Sequence, residues 1–78
     1  MVALLDQLRR LKSQPVTIEF VDGEVVDAVL LEVNTEEHDD IVFDVTAVRK
    51  RTEKTAYDAR NVYTAPISSV RRVELRSP

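Results

Sequence analysis

The residues best suited to chemistry lie around His38, the one histidine of the chain. The carboxylates Glu36, Glu37, Asp39 and Asp40 flank it, and imidazole with carboxylates can bind divalent cations. These acids are contiguous, however, whereas a calcium loop spaces its ligands at alternate positions and turns on a glycine. We therefore predict no metal site and interpret His38 as a solvent-exposed loop histidine.

Nucleophilic catalysis has little support in the sequence. Ser68 and Ser69 are adjacent, but no base accompanies them and no glycines shape a nucleophile elbow around them. The chain has no cysteine, so it can form neither a disulfide framework nor a thiolate metal site. We predict that the protein is not an enzyme, has no cofactor and acts on no small-molecule substrate.

Basic residues form a second candidate site, for nucleic acid. The candidate contacts, besides His38, are Arg49, Lys50, Arg51, Arg71 and Arg72. Tyr57 and Tyr63 lie close in sequence and could stack on bases. The alternative is that both tyrosines pack against the protein body while the bases pair with acids. We favour this alternative because the formal net charge is -3, whereas nucleic-acid modules are usually basic.

Length and charge distribution favour a small protein that assembles. The 78 residues suit a single domain, residues 1–78, near the size at which one core is marginally stable and oligomerisation is a common remedy. No membrane-length apolar stretch or signal peptide is apparent, which predicts a cytoplasmic protein with no membrane partner. Residues 13–48 hold many acids and no Lys or Arg, whereas bases dominate from Arg49 onward. These halves either cancel within one domain or join neighbouring copies head to tail.

The N-terminal segment has the apolar spacing of an amphipathic helix. Leu4, Leu5, Leu8 and Leu11 recur at helical intervals, which predicts a helix over about residues 2–13. Pro15 disfavours helical backbone at the residue before it, so the helix should end there.

The sole glycine, Gly23, follows Asp22 between two β-prone runs and predicts a hairpin. Even-numbered residues are apolar on both sides of this turn, so a loop of odd length, bulged at Gly23, is needed to keep them on one face. The second strand is also apolar on its odd side, at Val25, Val29, Leu31 and Val33. We expect the helix or another subunit to cover that side.

Three further strands are predicted. Residues 41–48 alternate with odd positions inward, and residues 49–54 form a charged turn. A fourth strand lies between residues 55 and 65, anchored by Tyr57, Val62 and Tyr63, and a bend at residues 66–69 precedes a final strand over 70–75. The predicted fold is mainly β, with one N-terminal helix and a five-stranded bent barrel over about residues 15–76, Sm-like or SH3-like in shape.

This order of elements resembles that of the Sm-like (LSm) family. Residues 16–23, with the pattern Val-x-Ile-x-Phe-x-Asp-Gly, and the later residues 37–43 look like the first Sm motif, and residues 65–73 stand where the second motif falls. In that family the loop before the third strand offers an aromatic or His for stacking and an Asn two residues later, and the second motif supplies an Arg-Gly pair. The matching positions here are His38, Asp40, Pro66 and Ile67.

The departures at these positions affect the RNA site more than the fold. Asp40 is an acceptor-only carboxylate that repels phosphate, and Pro66 provides no cation. The resemblance also implies a ring of identical or related subunits, in which the fourth strand of one copy pairs with the fifth strand of its neighbour. The candidate interface residues are Tyr57, Tyr63, Val70, Arg72 and Val73.

We therefore predict a non-catalytic binding or scaffolding module whose main partner is another copy of itself. One alternative is an RNA-binding Sm-like protein that uses the basic surface. The other is an SH3-like domain that binds a protein partner through the aliphatic second strand.

Overall fold

The computed structural model describes residues 3–36, 38–54 and 56–76, which form one helix and a five-stranded antiparallel sheet. The sheet order is β4-β3-β2-β1-β5, so the prediction of a mainly β chain with an N-terminal helix is confirmed. The elements are α1 (Ala3–Arg10), β1 (Pro15–Phe20), β2 (Val25–Asn34), β3 (Asp40–Lys50), β4 (Asn61–Pro66), a 3-10 helix (Ile67–Ser69) and β5 (Val70–Leu75).

The β1–β2 hairpin has the predicted odd loop. Val16 pairs with Ala28 and Ile18 with Val26, so even positions face even positions. The Phe20 N–H donates to the Glu24 carbonyl at 2.8 Å, and the Gly23 N–H donates back to the Phe20 carbonyl at 3.0 Å. Residues 21–23 are therefore the loop, and Gly23, at φ +98°, supplies the positive φ that closes it.

The helix is shorter than the predicted range of residues 2–13. It ends at Arg10 because the chain turns at Ser13, whose φ is +70° and whose N–H donates to the Leu30 carbonyl at 2.6 Å. Val2, the first residue of the predicted range, lies outside the described residues. Leu8 is fully buried in the core cluster. The helix therefore covers the core side of the sheet. Of the two expected covers for the odd side of β2, the helix is wrong and another subunit stays a prediction.

A bulge in β2 changes which of its residues face the core. Leu30 pairs with Phe43 and Glu32 with Val42, so Leu31 is the extra residue. Beyond the bulge, odd-numbered rather than even-numbered residues of β2 face the core. Val33 therefore packs against the core, while Leu31 is 39% exposed. The prediction that the four odd-numbered apolar residues of β2 share one face is therefore wrong.

The fourth strand begins later than predicted. Tyr57 precedes it rather than anchoring it, because the backbone N–H groups of Ala56 and Tyr57 donate to the Glu24 carboxylate instead of to a strand. The chain then turns at Arg60, at φ +70°, immediately before β4. Thr55, the start of the predicted interval, lies outside the described residues.

The predicted barrel is not closed, because no ladder joins β4 to β5 within the described residues. β4 is antiparallel to β3, and β5 is antiparallel to β1. Since every ladder of the five-stranded sheet is antiparallel, β4 and β5 run in the same direction along the sheet. Parallel neighbours need a crossover of roughly a dozen residues, whereas Ile67–Ser69 alone connects these strands. Register shifts in β2, β3 and β5 add bulges, which bend a sheet and increase its twist.

The core lies between this bent sheet and α1. All four aromatic residues of the chain meet on its inner side, with Phe20 stacked on Tyr57 at a centroid distance of 4.7 Å and Tyr63 edge-on to Tyr57 at 5.0 Å. The fully buried aliphatic side chains of the first three strands come from even positions of β1 and β2 and odd positions of β3, as the alternation predicts: Val16, Ile18, Val26, Ala28, Leu30, Ile41 and Val45. Leu8 of α1 and Val73 of β5 are fully buried as well. We call this side of the sheet the inner face and the other the outer face.

Candidate assembly interface

The edge of β4 presents unpaired backbone groups within the described residues. The Ile67 N–H donates to the Asp39 carbonyl at 2.9 Å, in register with the β3–β4 ladder. Because hydrogen-bonded pairs alternate along an antiparallel ladder, residues 63 and 65 direct their backbone groups towards β3. Val62 and Thr64 direct theirs away from it, towards the open edge.

The edge of β5 follows the same alternation. The Arg76 N–H donates to the Pro15 carbonyl at 3.0 Å, in register with the β1–β5 ladder. Residues 72 and 74 therefore direct their backbone groups towards β1. Val73 and Leu75 direct theirs outward, so the two ends of the sheet expose two comparable rows of donors and acceptors.

Exposed apolar side chains accompany these rows. Val62 on β4 and Leu75 on β5 are each 57% exposed, the highest values among the large hydrophobic residues described. Each therefore lies where a further strand would cover it. Sequence reasoning missed both as interface residues, although each is an apolar residue among polar neighbours near a strand end.

The predicted interface residues occupy different environments. Val70 and Val73 are buried in the core of this chain, so only their backbone is available to a partner. The Tyr63 ring is half-buried on the inner face, and its hydroxyl accepts a hydrogen bond from the Asp58 N–H at 2.9 Å. Of the five, Arg72 has an exposed side chain, at 65%.

Tyr57 is integrated into the aromatic cluster rather than presented to solvent. Burial raises the pKa of its hydroxyl, and the negative charges of Glu24 and Asp22, with a smaller effect from Tyr63, raise the pKa further. The ring contacts Phe20, Phe43 and Tyr63. Its faces and edges are therefore largely occupied by the protein itself, as the alternative interpretation of the tyrosines requires.

Glu24 holds the segment that carries Tyr57. Its side chain is fully buried, and its two carboxylate oxygens accept hydrogen bonds from the N–H groups of Ala56 and Tyr57, each at 3.1 Å. Asp22 accepts a hydrogen bond from the Glu24 N–H at 2.9 Å. Sequence reasoning missed this anchor, although the even parity of residue 24 was a signal that its side chain points inward.

A second buried carboxylate, Asp27, organises the outer face. Its side chain is 4% exposed and accepts hydrogen bonds from Arg49 Nε and Thr17 Oγ1, both at 2.7 Å, while Arg76 Nη1 lies 3.6 Å away. Burial alone would raise the pKa of Asp27. The two hydrogen bonds and the two guanidinium charges outweigh burial and hold the pKa below its ordinary value.

The predicted basic contacts lie on or beside this outer face. The ladders align Lys50, Val25, Glu19 and Arg72 in one row across the sheet, which brings the end of β3 and β5 to a common surface. Most of the bases are paired with acids of the same chain. Arg49 pairs with Asp27, Arg51 with Asp58 at 3.4 Å, and Arg71 and Arg72 with Glu19 at 3.7 and 3.3 Å.

His38 lies at the opposite end of β3 and does not join these bases. It borders a shallow groove of about 480 Å³ lined by Glu32, Asn34, Glu36 and Asp40. It also lines a neighbouring hollow of about 430 Å³, together with Asp39, Asp40, Thr64, Ala65 and Pro66. The positions that the Sm-like resemblance assigns to RNA are thus partly brought together, around carboxylates.

Within the described residues, no group of three or more His, Cys, Asp or Glu side chains is arranged to hold a metal ion. Glu37, which belongs to the acidic run around His38, lies outside those residues.

Comparison of the chain with protein-family models, curated proteins and solved structures gave no match. No helix in the described part of the chain is long and apolar enough to cross a bilayer.

Proposed function

We propose that this chain is a non-catalytic, Sm-like scaffolding module that assembles with copies of itself into a ring through the edges of β4 and β5. The observation that carries the proposal is the pair of open edges, six residues long on each side, with outward backbone groups at Val62, Thr64, Val73 and Leu75. Open edges with apolar side chains favour pairing with another strand. A domain of this size also gains stability from such a partner.

The positions of the outward groups define a register for antiparallel pairing. Val62 of one copy is matched to Leu75 of the next, and Thr64 to Val73. Each matched pair exchanges two backbone hydrogen bonds, each worth roughly 0.5–1.5 kcal/mol net. The register also covers the two most exposed large apolar side chains with each other, which contributes on the order of 1 kcal/mol for each of them.

This register has a consequence for the shape of the assembly. Val62 belongs to the outer face of its sheet, whereas Leu75 continues the inner-face series of β5 with Val73. Pairing them joins the outer face of one copy to the inner face of the next, so the combined sheet reverses its curvature at each junction. Each copy keeps its own core, and the same heterologous contact repeats until the ring closes.

A proline at residue 64 tests the proposal. Thr64→Pro removes one outward N–H while leaving the groups that face β3 untouched, because proline is tolerated on the solvent side of an edge strand. The wild type should have a mass in solution that is a multiple of 8.9 kDa. Thr64→Pro should shift it towards the monomer, and Thr64→Val, which keeps the N–H, should retain it. A wild-type monomer would refute the proposal.

RNA binding through the outer face is a second candidate, since the row from Lys50 to Arg72 brings the two basic runs to one surface. Fluorescence anisotropy with labelled oligo-U at low salt tests it. Binding that weakens steeply as salt rises would support this candidate, because phosphate contacts release counterions. No binding at low salt would eliminate it.

A further inference from the structure

The bulge in β5 places two arginines beside the open edge. Arg71 is the extra residue where the β1–β5 register shifts, and Arg72 follows it. Their side chains are 61% and 65% exposed, and both share Glu19, while Arg72 also reaches Glu74 at 3.4 Å. Exposed ion pairs of this length contribute little and can exchange partners.

The β4 edge ends in a hollow of opposite charge. Its lining includes Asp39, Asp40, Ala65 and Pro66, so it lies directly against the last residues of that edge strand. Asp40 accepts a hydrogen bond from Asn34 Nδ2 at 3.2 Å. No cation of the described residues lies within ion-pair distance of either aspartate.

The register derived from the backbone brings these two features together. When Val62 is matched to Leu75 of the next copy, each step along β4 moves one step back along β5. Ala65 is then opposite Arg72 and Pro66 opposite Arg71. Both of these β4 residues line the hollow, so the neighbour's strand runs along its rim. Arg71 and Arg72 share Glu19 on the outer face of their own copy, which continues the inner face of the next copy. They therefore approach the hollow from the side on which Asp39 lies with Leu5, Ile67 and Ser68.

We propose that Arg71 and Arg72 of one copy lie at this hollow in the next copy and pair there with Asp39, while Asp40, on the other face of the β3–β4 ladder, adds to the negative charge that attracts them. The inference rests on the proposed assembly and adds the charge contact that selects its partner and register. It also gives a role to the carboxylates at a position where the Sm-like resemblance would place RNA. Acids that repel a phosphate backbone attract guanidinium groups.

Two complementary charge reversals test this contact. The basic-edge variant carries Arg71→Glu and Arg72→Glu, and the acidic-edge variant carries Asp39→Lys and Asp40→Lys. Each variant alone should associate roughly tenfold more weakly at low salt, because reversal replaces modest attraction by repulsion at every junction. Sedimentation equilibrium measures the association, and circular dichroism verifies that each variant is folded.

Mixing the two variants is the decisive experiment, because it tests whether the reversed charges are partners. In an alternating assembly every junction is again complementary, either Glu against Lys or Arg against Asp, so a 1:1 mixture should regain assemblies with even numbers of subunits. Lys50→Glu with Lys54→Glu is the matched control for the basic-edge variant, since it makes the same change in net charge away from both edges. It should associate as the wild type does.

The outcomes separate this inference from the proposed function. A wild-type monomer overturns both. A wild-type oligomer that neither reversal weakens overturns the charge contact and leaves the edge pairing intact. If both reversals weaken association but their mixture does not recover it, the arginines and aspartates are not partners and the inference is wrong.

Discussion

The carboxylate of Asp27 on β2 lies 2.7 Å from Nε of Arg49 on β3, and Arg49 reaches it from a bulge position of its strand. An earlier extra residue, Thr46, shifts the alternation of β3 so that Ala47 stands opposite Asp27 and Val48 opposite Val26, and Arg49 follows on the face of Asp27. The contact thus joins a buried acid to a base whose side chain remains 58% exposed. This contact fixes the β2–β3 register near the end of the sheet.

Asp27→Asn should destabilise the fold by about 1–3 kcal/mol at neutral pH, because it removes the charge that two guanidinium groups share. The folded-state pKa is below the ordinary value of 3.8. The stabilisation is therefore complete above that value and is lost as the pH falls through the lower folded-state pKa. Urea unfolding from pH 7 to pH 2 should show a difference between wild type and variant that shrinks below about pH 4.

Asp44→Asn is the matched control for that experiment, since Asp44 is a half-buried acid with no ion pair to another described residue. Its effect should be within about 0.5 kcal/mol. Equal losses from both substitutions would mean that the Asp27 cluster has no special role.

Glu24→Gln should loosen the segment that carries Tyr57. An amide offers one acceptor oxygen where the carboxylate offers two, so one of the N–H groups of Ala56 and Tyr57 is left facing an NH₂ group. The expected loss is about 1–3 kcal/mol, together with a weaker tyrosine signal in near-ultraviolet circular dichroism. Glu53→Gln, an exposed site in the same connection, should change neither quantity, and a similar loss there would argue against the anchor.

Gly23→Ala should cost about 1 kcal/mol in thermal unfolding, from backbone strain alone. Space is available for the methyl group, since an added Cβ would lie 3.9 Å from Thr52 Cγ2 as its nearest neighbour, but φ is +98°. Ser13→Gly makes the reverse change at φ +70° and should be neutral or mildly stabilising. A neutral Gly23→Ala would contradict the assigned loop geometry.

Alkaline titration should report on the environment of the Tyr57 hydroxyl. Burial and the charges of Glu24 and Asp22 keep the Tyr57 pKa above the ordinary value of 10.0. Ultraviolet absorbance should therefore show a late ionisation that Tyr57→Phe removes. Since the folded state favours the neutral hydroxyl, stability should fall as pH rises above the unfolded-state pKa. A late ionisation that persists in Tyr57→Phe would contradict this environment for the Tyr57 hydroxyl.

Local periodicity is sufficient to predict much of the sheet. The parity of Val16, Ile18 and Val26 by itself requires an odd loop. The odd positions of β3 face inward as expected as far as Val45, but the extra residue Thr46 then reverses the alternation, so that Val48 and not Ala47 packs against the core. The odd loop and the inward positions as far as Val45 depend on neighbours in sequence and on a period of two. They are therefore visible in a single strand or hairpin.

Features that depend on distant residues are not predictable in this way. The bulge at Leu31 is defined by pairing with Val42 and Phe43, and the displaced start of β4 follows from a hydrogen bond between Glu24 and residue 57. The open sheet follows from the directions of β4 and β5, which only the complete strand order determines. The hollow near Pro66 likewise needs β3 and β4 to be side by side.

The mass of the wild-type protein in solution tests the central claim most directly. Light scattering coupled to size-exclusion chromatography should give one species at a whole multiple of 8.9 kDa, and Thr64→Pro should move it towards 8.9 kDa while Thr64→Val does not. A wild-type mass of 8.9 kDa across the accessible concentration range would contradict assembly through the two edges.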